Sequence, residues 1–188
     1  MATISSGNYT VGGAHLYYSA TIGHVDLLGT AFETTDHNMG NIVTSEISPD
    51  VTYLDHYISV NGKRVKDKIV STMSSVTIPF TFDEMNAANM AKFFMGDLTA
   101  SKIKVVQNEL EEGCAKLVVQ TSIGRDLVYN IPKCTIRPDG AISMNEEDWH
   151  TAPMVLEVLQ YQADDGNSTD NATWVAAPFG QVDISDRA

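Results

Sequence analysis

The chain has 188 residues, with 24 acidic against 12 basic side chains and a formal net charge of −12. This length, with 43% hydrophobic residues, predicts one domain with its own core. The acidic balance disfavours tight nucleic-acid binding, because phosphate affinity comes largely from Lys and Arg displacing counterions. We expect neither a signal peptide nor a membrane span, since the start lacks a basic and apolar leader and no apolar run has the roughly 18–20 residues needed.

Apolar residues recur mainly with a period of two, which indicates strands. Residues 43–47 show this alternation first, and residues 76–82 repeat it with Val76, Ile78, Phe80 and Phe82 on one face. Pro79 cannot donate to a ladder, so its strand is predicted to be an edge or to contain a bulge. A tight hairpin around Gly124 is predicted for 117–131, a turn at 137–140 and a last strand at 154–162. Together these elements predict an all-β sandwich or barrel.

One helix, at about 83–95, interrupts the strands. Thr81 with Glu84 fits a capping box, and Asp83 or Asn86 are alternative N-caps. Gly96 follows the last turn, where a left-handed residue commonly ends a helix. The apolar stripe of this helix is predicted to lie on the sheet.

Two segments differ from the core pattern. Residues 48–69 contain Asn61-Gly62, a strong hairpin-turn signal, and lack a sustained apolar face, so they predict a long two-stranded arm. The second segment, residues 163–188, is a polar extension of the domain at 1–162, and its later apolar residues need a surface to pack on. That surface belongs either to the same domain or to a neighbouring subunit.

Charge is distributed unevenly along the arm. Residues 1–62 carry six acidic residues and no Lys or Arg, and the first basic residues then arrive together. The tip and its basic burst are either a contact site for an acidic surface or a solvated charged turn, and they comprise Asn61, Gly62, Lys63, Arg64, Lys66, Asp67 and Lys68.

No catalytic, cofactor-binding or metal-binding residues are predicted. The five histidines lack HxH or HExxH spacing, and no glycine motif matches a phosphate-binding loop. Cys114 and Cys134 are predicted to be free buried thiols. We therefore expect a protein that is not an enzyme.

Several segments, taken in order, resemble the tail tube (major tail) proteins of long-tailed bacteriophages. They are Gly7–Gly13, Asp26–Thr30, Leu54–Tyr57, Gly62–Lys68, the 83–95 helix with its flanks, and Trp149 with the strand after it. The resemblance implies a β-sandwich flanked by a helix, six copies of which close a ring. Stacked rings would form a tube around a tape-measure protein in the virion tail, built in the host bacterial cytoplasm.

The same resemblance implies partners and site roles. Partners would be the chain itself, the tape-measure, tail-tip and tail-terminator proteins, and viral DNA in transient, non-specific passage. The basic arm would stack rings, and acidic residues on wet strand faces would line the lumen; the lumen candidates are Glu46, Asp50, Glu109 and Glu111. The alternatives are an Hcp-like tube protein of a secretion system or contractile device, and a monomeric β-sandwich binding module.

Overall fold

The computed structural model describes residues 11–123, 125–144, 149–165 and 170–186. Its elements are β1 (Val11–Ser19), β2 (Ile42–Ser45), β3 (Ser48–Val60), β4 (Lys63–Phe82), α1 (Ala87–Phe93), β5 (Asp97–Thr99), β6 (Lys102–Lys104), β7 (Glu112–Ile123), β8 (Arg125–Pro138), β9 (Ala152–Val158), α2 (Asn171–Ala176) and β10 (Gln181–Asp186). The predicted mainly β class is confirmed.

The large antiparallel sheet has the strand order β1-β7-β8-β9-β4-β2, with β10 beside β8 and β3 beside β4. This sheet curls until its ends meet. The Tyr18 amide donates to the His37 carbonyl at 2.7 Å, and the Met39 amide donates to the Leu16 carbonyl at 2.9 Å. Because residues 37–39 lead into β2, these bonds join the β1 end of the sheet to the β2 end. The result is an incompletely closed barrel.

The core fills the inside of this barrel. Ile78, Phe80 and Phe82 of β4 are at most 2% exposed, as the alternation predicts. Buried side chains of the other strands face them, among them Leu16, Leu117, Ile131, Met154 and Leu156. Burying one such side chain contributes about 1.5–3 kcal/mol, so the alternating pattern fixes which face of each strand turns inward.

Pro79 lies in a strand paired on both sides, so the edge alternative is wrong; the bulge alternative holds for β4, but its bulges lie at Asp67 and Thr72 and not at the proline. On one side β9 pairs with residues 76–82, and on the other side β2 and β3 follow each other along β4. The Pro79 carbonyl accepts from the Glu46 amide at 3.0 Å, in the break between β2 and β3. Since the N–H and C=O of a strand residue point to the same side, the missing N–H falls opposite that break. The proline is tolerated because its neighbouring strand is interrupted there.

The helix begins later than predicted, at Ala87 rather than near residue 83. Asn86, one of the three candidate N-caps, caps it, and its Oδ1 accepts from the Asn89 amide at 2.9 Å. The capping box starting at Thr81 is wrong, because that residue still belongs to β4.

At the other end of α1, the left-handed residue is Met95, with φ 48°, and not the predicted Gly96. Gly96 is required for a different reason. A Cβ there would collide with the Lys104 backbone carbonyl of β6. The glycine therefore allows the small β5–β6 hairpin to pack closely on the end of the helix.

The other predicted elements are present with shifted bounds. β7 and β8 form the 117–131 hairpin, and β9 supplies the last predicted strand. The turn predicted at 137–140 starts later, because Pro138 still pairs with Met154. Residues 7–10, Gly124 and the acidic turn at 146–148 lie outside the described residues.

The C-terminal segment packs on its own domain. Trp174 of α2 is 0% exposed and joins an outer cluster with Leu27, Phe32, Cys114 and Tyr161. β10 adds a strand to β8. Cys114 belongs to this outer cluster and Cys134 to the barrel core, and both thiols are free and buried, as predicted.

Candidate assembly interface

A long hairpin extends beyond the barrel. β9 joins β4 only from Val76 onward, and β3 pairs only with β4 among the described strands. Residues 50–75, here called the arm, therefore carry two unpaired edges. At about 3.3 Å per residue, β3 alone gives the arm a length of about 35 Å. The predicted end at residue 69 is too early, because β4 is one continuous strand into the core.

The tip of the arm is the predicted Asn61-Gly62 turn. Both residues have positive φ, 50° for Asn61 and 77° for Gly62. Two consecutive left-handed residues between paired strands define a type I′ turn, whose twist matches that of the strands it joins. Asn and Gly are the residues that adopt this conformation most readily. Val60 and Lys63 flank the turn as directly opposite partners.

The arm exposes many large apolar side chains, so the prediction that it lacks an apolar face is wrong. Nine of them are at least 39% exposed, namely Tyr53, Leu54, Tyr57, Ile58, Val60, Val65, Ile69, Val70 and Met73. Large exposed apolar side chains gathered on one projecting element are typical of an interaction surface. The arm is therefore the main candidate interface.

Strand register sorts these side chains into two faces. Ile58 lies opposite Val65, and Leu54 lies opposite Val70. Two extra residues in β4 shift the register, since Asp67 and Thr72 have no partner in the ladder. With these bulges, one side of the arm, here called the apolar face, carries Leu54, Ile58, Val60, Val65, Val70 and Met73. The simple alternation read from β4 misses this face, because both bulges change its phase.

The four basic residues near the tip have different surroundings. Lys66 forms an ion pair with Asp55 at 2.6 Å across the two strands. The Arg64 guanidinium lies 4.3 Å from the ring centroid of Tyr57, a cation–π contact, and has no carboxylate partner among the described residues. Lys63 and Lys68 have no ion-pair partner among the described residues. Positive charge is thus available chiefly at Lys63, Arg64 and Lys68.

Asp67 does not belong to that positive set. Its Oδ1 lies 2.6 Å from Nδ1 of His56, on the neighbouring strand. Asp67 is also the bulged residue, so this contact spans the irregular point of the ladder. Asp67 therefore has a structural role within the arm.

The four lumen candidates do not share the predicted setting on a strand face. Glu46 lies in the break between β2 and β3, and only Asp50 is part of a strand. Glu109 and Glu111 precede β7, in a loop beside α1. All four side chains are exposed. Alternation placed three of them wrongly, because the strands end sooner or begin later than the pattern indicated.

Glu109 and Glu111 instead border a cleft of about 530 Å³. One wall is α1, with Ala88, Ala91 and Lys92, and the opposite wall is the loop from Asn108 to Glu111. The cleft has no signature in the sequence, because it arises where α1, the β5–β6 hairpin and this loop meet.

The described part of the chain offers neither a metal cluster nor a membrane-spanning helix. Within residues 11–123, 125–144, 149–165 and 170–186, no group of three or more His, Cys, Asp or Glu side chains is placed to hold a metal ion. The helices described there include none long and apolar enough to cross a bilayer.

Part of the chain matches a family whose function is not established. Residues 29–118 are similar to a family described as "Protein of unknown function UCP028589". The matched stretch contains the entire arm, α1 and the cleft-bordering loop. No curated protein matches the chain.

Proposed function

We propose that this chain is a non-enzymatic structural protein that assembles with copies of itself into stacked hexameric rings, forming the tail tube of a long-tailed bacteriophage. The observation that carries the proposal is the arm. It combines two unpaired strand edges with nine exposed large apolar side chains. The resemblance of the sequence to tail tube proteins supplies the specific architecture.

Self-assembly would provide the arm with strand partners and with a surface that buries its apolar face, both of which it lacks in the monomer. A two-stranded hairpin is marginally stable alone, and open edges invite pairing with other chains. Packing the apolar face against another subunit removes its side chains from water, at roughly 25 cal/mol per Å² of apolar area. Identical head-to-tail contacts repeated along one axis give an open filament, which is the geometry of a tube.

The charge of the chain is compatible with a DNA conduit. A net charge of −12 repels the phosphate backbone, so DNA in a lumen lined by this protein would pass without being held. The predicted lumen residues Glu46, Asp50, Glu109 and Glu111 remain part of this proposal. The tape-measure, tail-tip and terminator proteins would be the further partners.

The proposal is tested by assembly of purified protein with and without its apolar face. The unmodified chain should form rings or tubes in negative-stain electron micrographs at high concentration, or after addition of a tail-tip nucleus. The double variant Leu54→Ser with Val70→Thr should not, because these two side chains face each other on the arm.

A matched control separates assembly from folding. Leu54 and Val70 are 64% and 46% exposed, so their replacement should leave the thermal melt of the monomer nearly unchanged. Val25→Ser removes a comparably exposed apolar group, 56%, from a loop outside the arm and should still assemble. An unmodified chain that stays monomeric under all these conditions would refute the proposal.

A further inference from the structure

The cleft beside α1 has an apolar floor and an acidic rim. Ala88, Ala91, Met95, Leu98, Leu110 and Ile136 supply apolar surface, and its volume of about 530 Å³ lies within the range of about 300–1,000 Å³ typical of binding clefts. Three carboxylates, Asp97, Glu109 and Glu111, border it against one ammonium, Lys92. All three acids are exposed, whereas Lys92 is partly buried.

The rim is held in place by contacts of its own. The Asn108 side-chain amide donates to Asp97 Oδ1 at 2.9 Å, which ties the loop to the start of β5. The Tyr18 hydroxyl donates to the Glu111 carbonyl at 3.2 Å, which anchors the loop to β1. A loop anchored at both ends in this way can bind without first being ordered, so binding loses less entropy.

The arm tip carries the complementary pattern. Val60 and Lys63 lie directly opposite each other at the turn, so an exposed apolar side chain and a cation without an ion-pair partner in the described chain share one face. Arg64 follows on the opposite face of the hairpin, where it stacks on Tyr57 and has no ion-pair carboxylate among the described residues. The tip therefore presents apolar surface and positive charge together, where the cleft presents apolar surface and negative charge.

We propose that the cleft between α1 and the 108–111 loop is the docking site for the arm tip of a second copy of this chain, with Val60 in the groove and Lys63 and Arg64 at its acidic rim. This inference rests on the proposed self-assembly and names its receptor surface. Glu109 and Glu111 are then covered by a neighbour, which leaves Glu46 and Asp50 as the lumen candidates.

Cross-linking tests the contact directly. Lys63→Cys and Glu109→Cys are introduced into separate preparations, which are mixed, assembled and mildly oxidised. The native thiols do not interfere, because Cys114 and Cys134 are buried, and burial raises the pKa of Cys114 to about 12. Disulfide-linked dimers should form in this mixture. Lys63→Cys mixed with Val25→Cys, an exposed loop position outside the cleft, should yield none.

A charge swap provides an independent readout. Lys63→Glu with Arg64→Glu should raise the protein concentration needed for tube growth by about tenfold or more, because like charges then face each other at every copy of the contact. Adding Glu109→Lys and Glu111→Lys to the same chain should restore most of that loss.

The outcomes distinguish the two proposals. Tubes that form normally but give no Lys63–Glu109 cross-link, or a cross-link no stronger than with Val25, overturn the docking site and leave tube formation standing. If the four-substitution chain assembles no better than the chain with Lys63→Glu and Arg64→Glu alone, the docking site is likewise overturned and tube formation still stands. Failure of the unmodified chain to assemble under any condition rejects both.

Discussion

Trp174 provides a sharp test of how the C-terminal segment is attached. Its side chain is 0% exposed within the outer cluster, and its indole N–H has no hydrogen-bond acceptor there. Trp174→Ala should therefore lose apolar packing and leave a cavity, at about 3–5 kcal/mol. For a chain of this size, 1 kcal/mol lowers Tm by about 2–4 °C, so a decrease of about 6–20 °C is expected.

Trp174→Phe is the matched variant. It retains most of the apolar volume and loses no hydrogen bond, so the expected destabilisation is only about 1–2 kcal/mol. Circular dichroism melts of monomeric protein measure both changes. The ratio of the two destabilisation energies separates the effect of lost packing from the effect of the lost indole N–H.

Tryptophan fluorescence checks the location independently, because the other tryptophan, Trp149, is 83% exposed. Trp149→Phe should leave a blue-shifted emission that iodide hardly quenches, and Trp174→Phe should leave a red-shifted emission that iodide quenches readily. A red-shifted Trp149→Phe monomer, or a Trp174→Ala monomer with unchanged Tm, would refute packing of Trp174 on its own domain. The segment would then belong on a neighbouring subunit.

Three further predictions concern the barrel and its attachments. Gly96→Ala should lower stability by about 1–3 kcal/mol in urea titrations, because the new Cβ meets a backbone carbonyl, whereas Gly13→Ala enters open space and should change it by less than about 0.5 kcal/mol. Lys116→Ala should lower stability by about 2–4 kcal/mol, since the side chain is 3% exposed and its ammonium binds the Glu33 carboxylate at 2.6 Å and the Gly29 carbonyl at 2.9 Å; an unchanged melt would contradict this. The hydrogen bond from Lys133 lowers the pKa of Asp165 below its usual 3.8. The stability that this interaction contributes is therefore fully present above pH 3.8 and is lost as the pH falls through the lower pKa of the folded state. Asp165→Asn should flatten that acid limb of Tm against pH.

The barrel follows from sequence patterns that act locally. The alternation of Ile78, Phe80 and Phe82 correctly identifies the inward face of β4, and the Asn61-Gly62 pair correctly locates the arm tip. These two patterns are reliable because each depends only on local structure, the first on one face of a strand and the second on the conformation of two adjacent residues. The missing donor of Pro79 predicts an edge or a bulge, because the sequence does not show the break in the neighbouring strand that accommodates the proline.

The candidate site was only partly visible in the sequence. The basic burst marked the arm, but it could not show that Lys66 is neutralised by Asp55 while Lys63 has no such partner in the described chain. Alternation of Leu54, Ile58 and Val60 in β3 did contain the apolar face, although the polar His56 between them obscures it. The cleft depends on contacts between segments far apart in the chain, which no local pattern encodes.

The two bulges in the arm have a consequence for solubility. A bulge increases the right-handed twist of a strand pair, so the bulges at Asp67 and Thr72 are expected to twist the arm along its length. Flat, regular strands stack readily into cross-β fibrils, whereas a coiled ribbon offers such fibrils no continuous template. Only a surface that follows the same helical path can cover the whole arm. Under the proposed self-assembly, the twisted arm would pair with a neighbour of matching shape and not with flat strands.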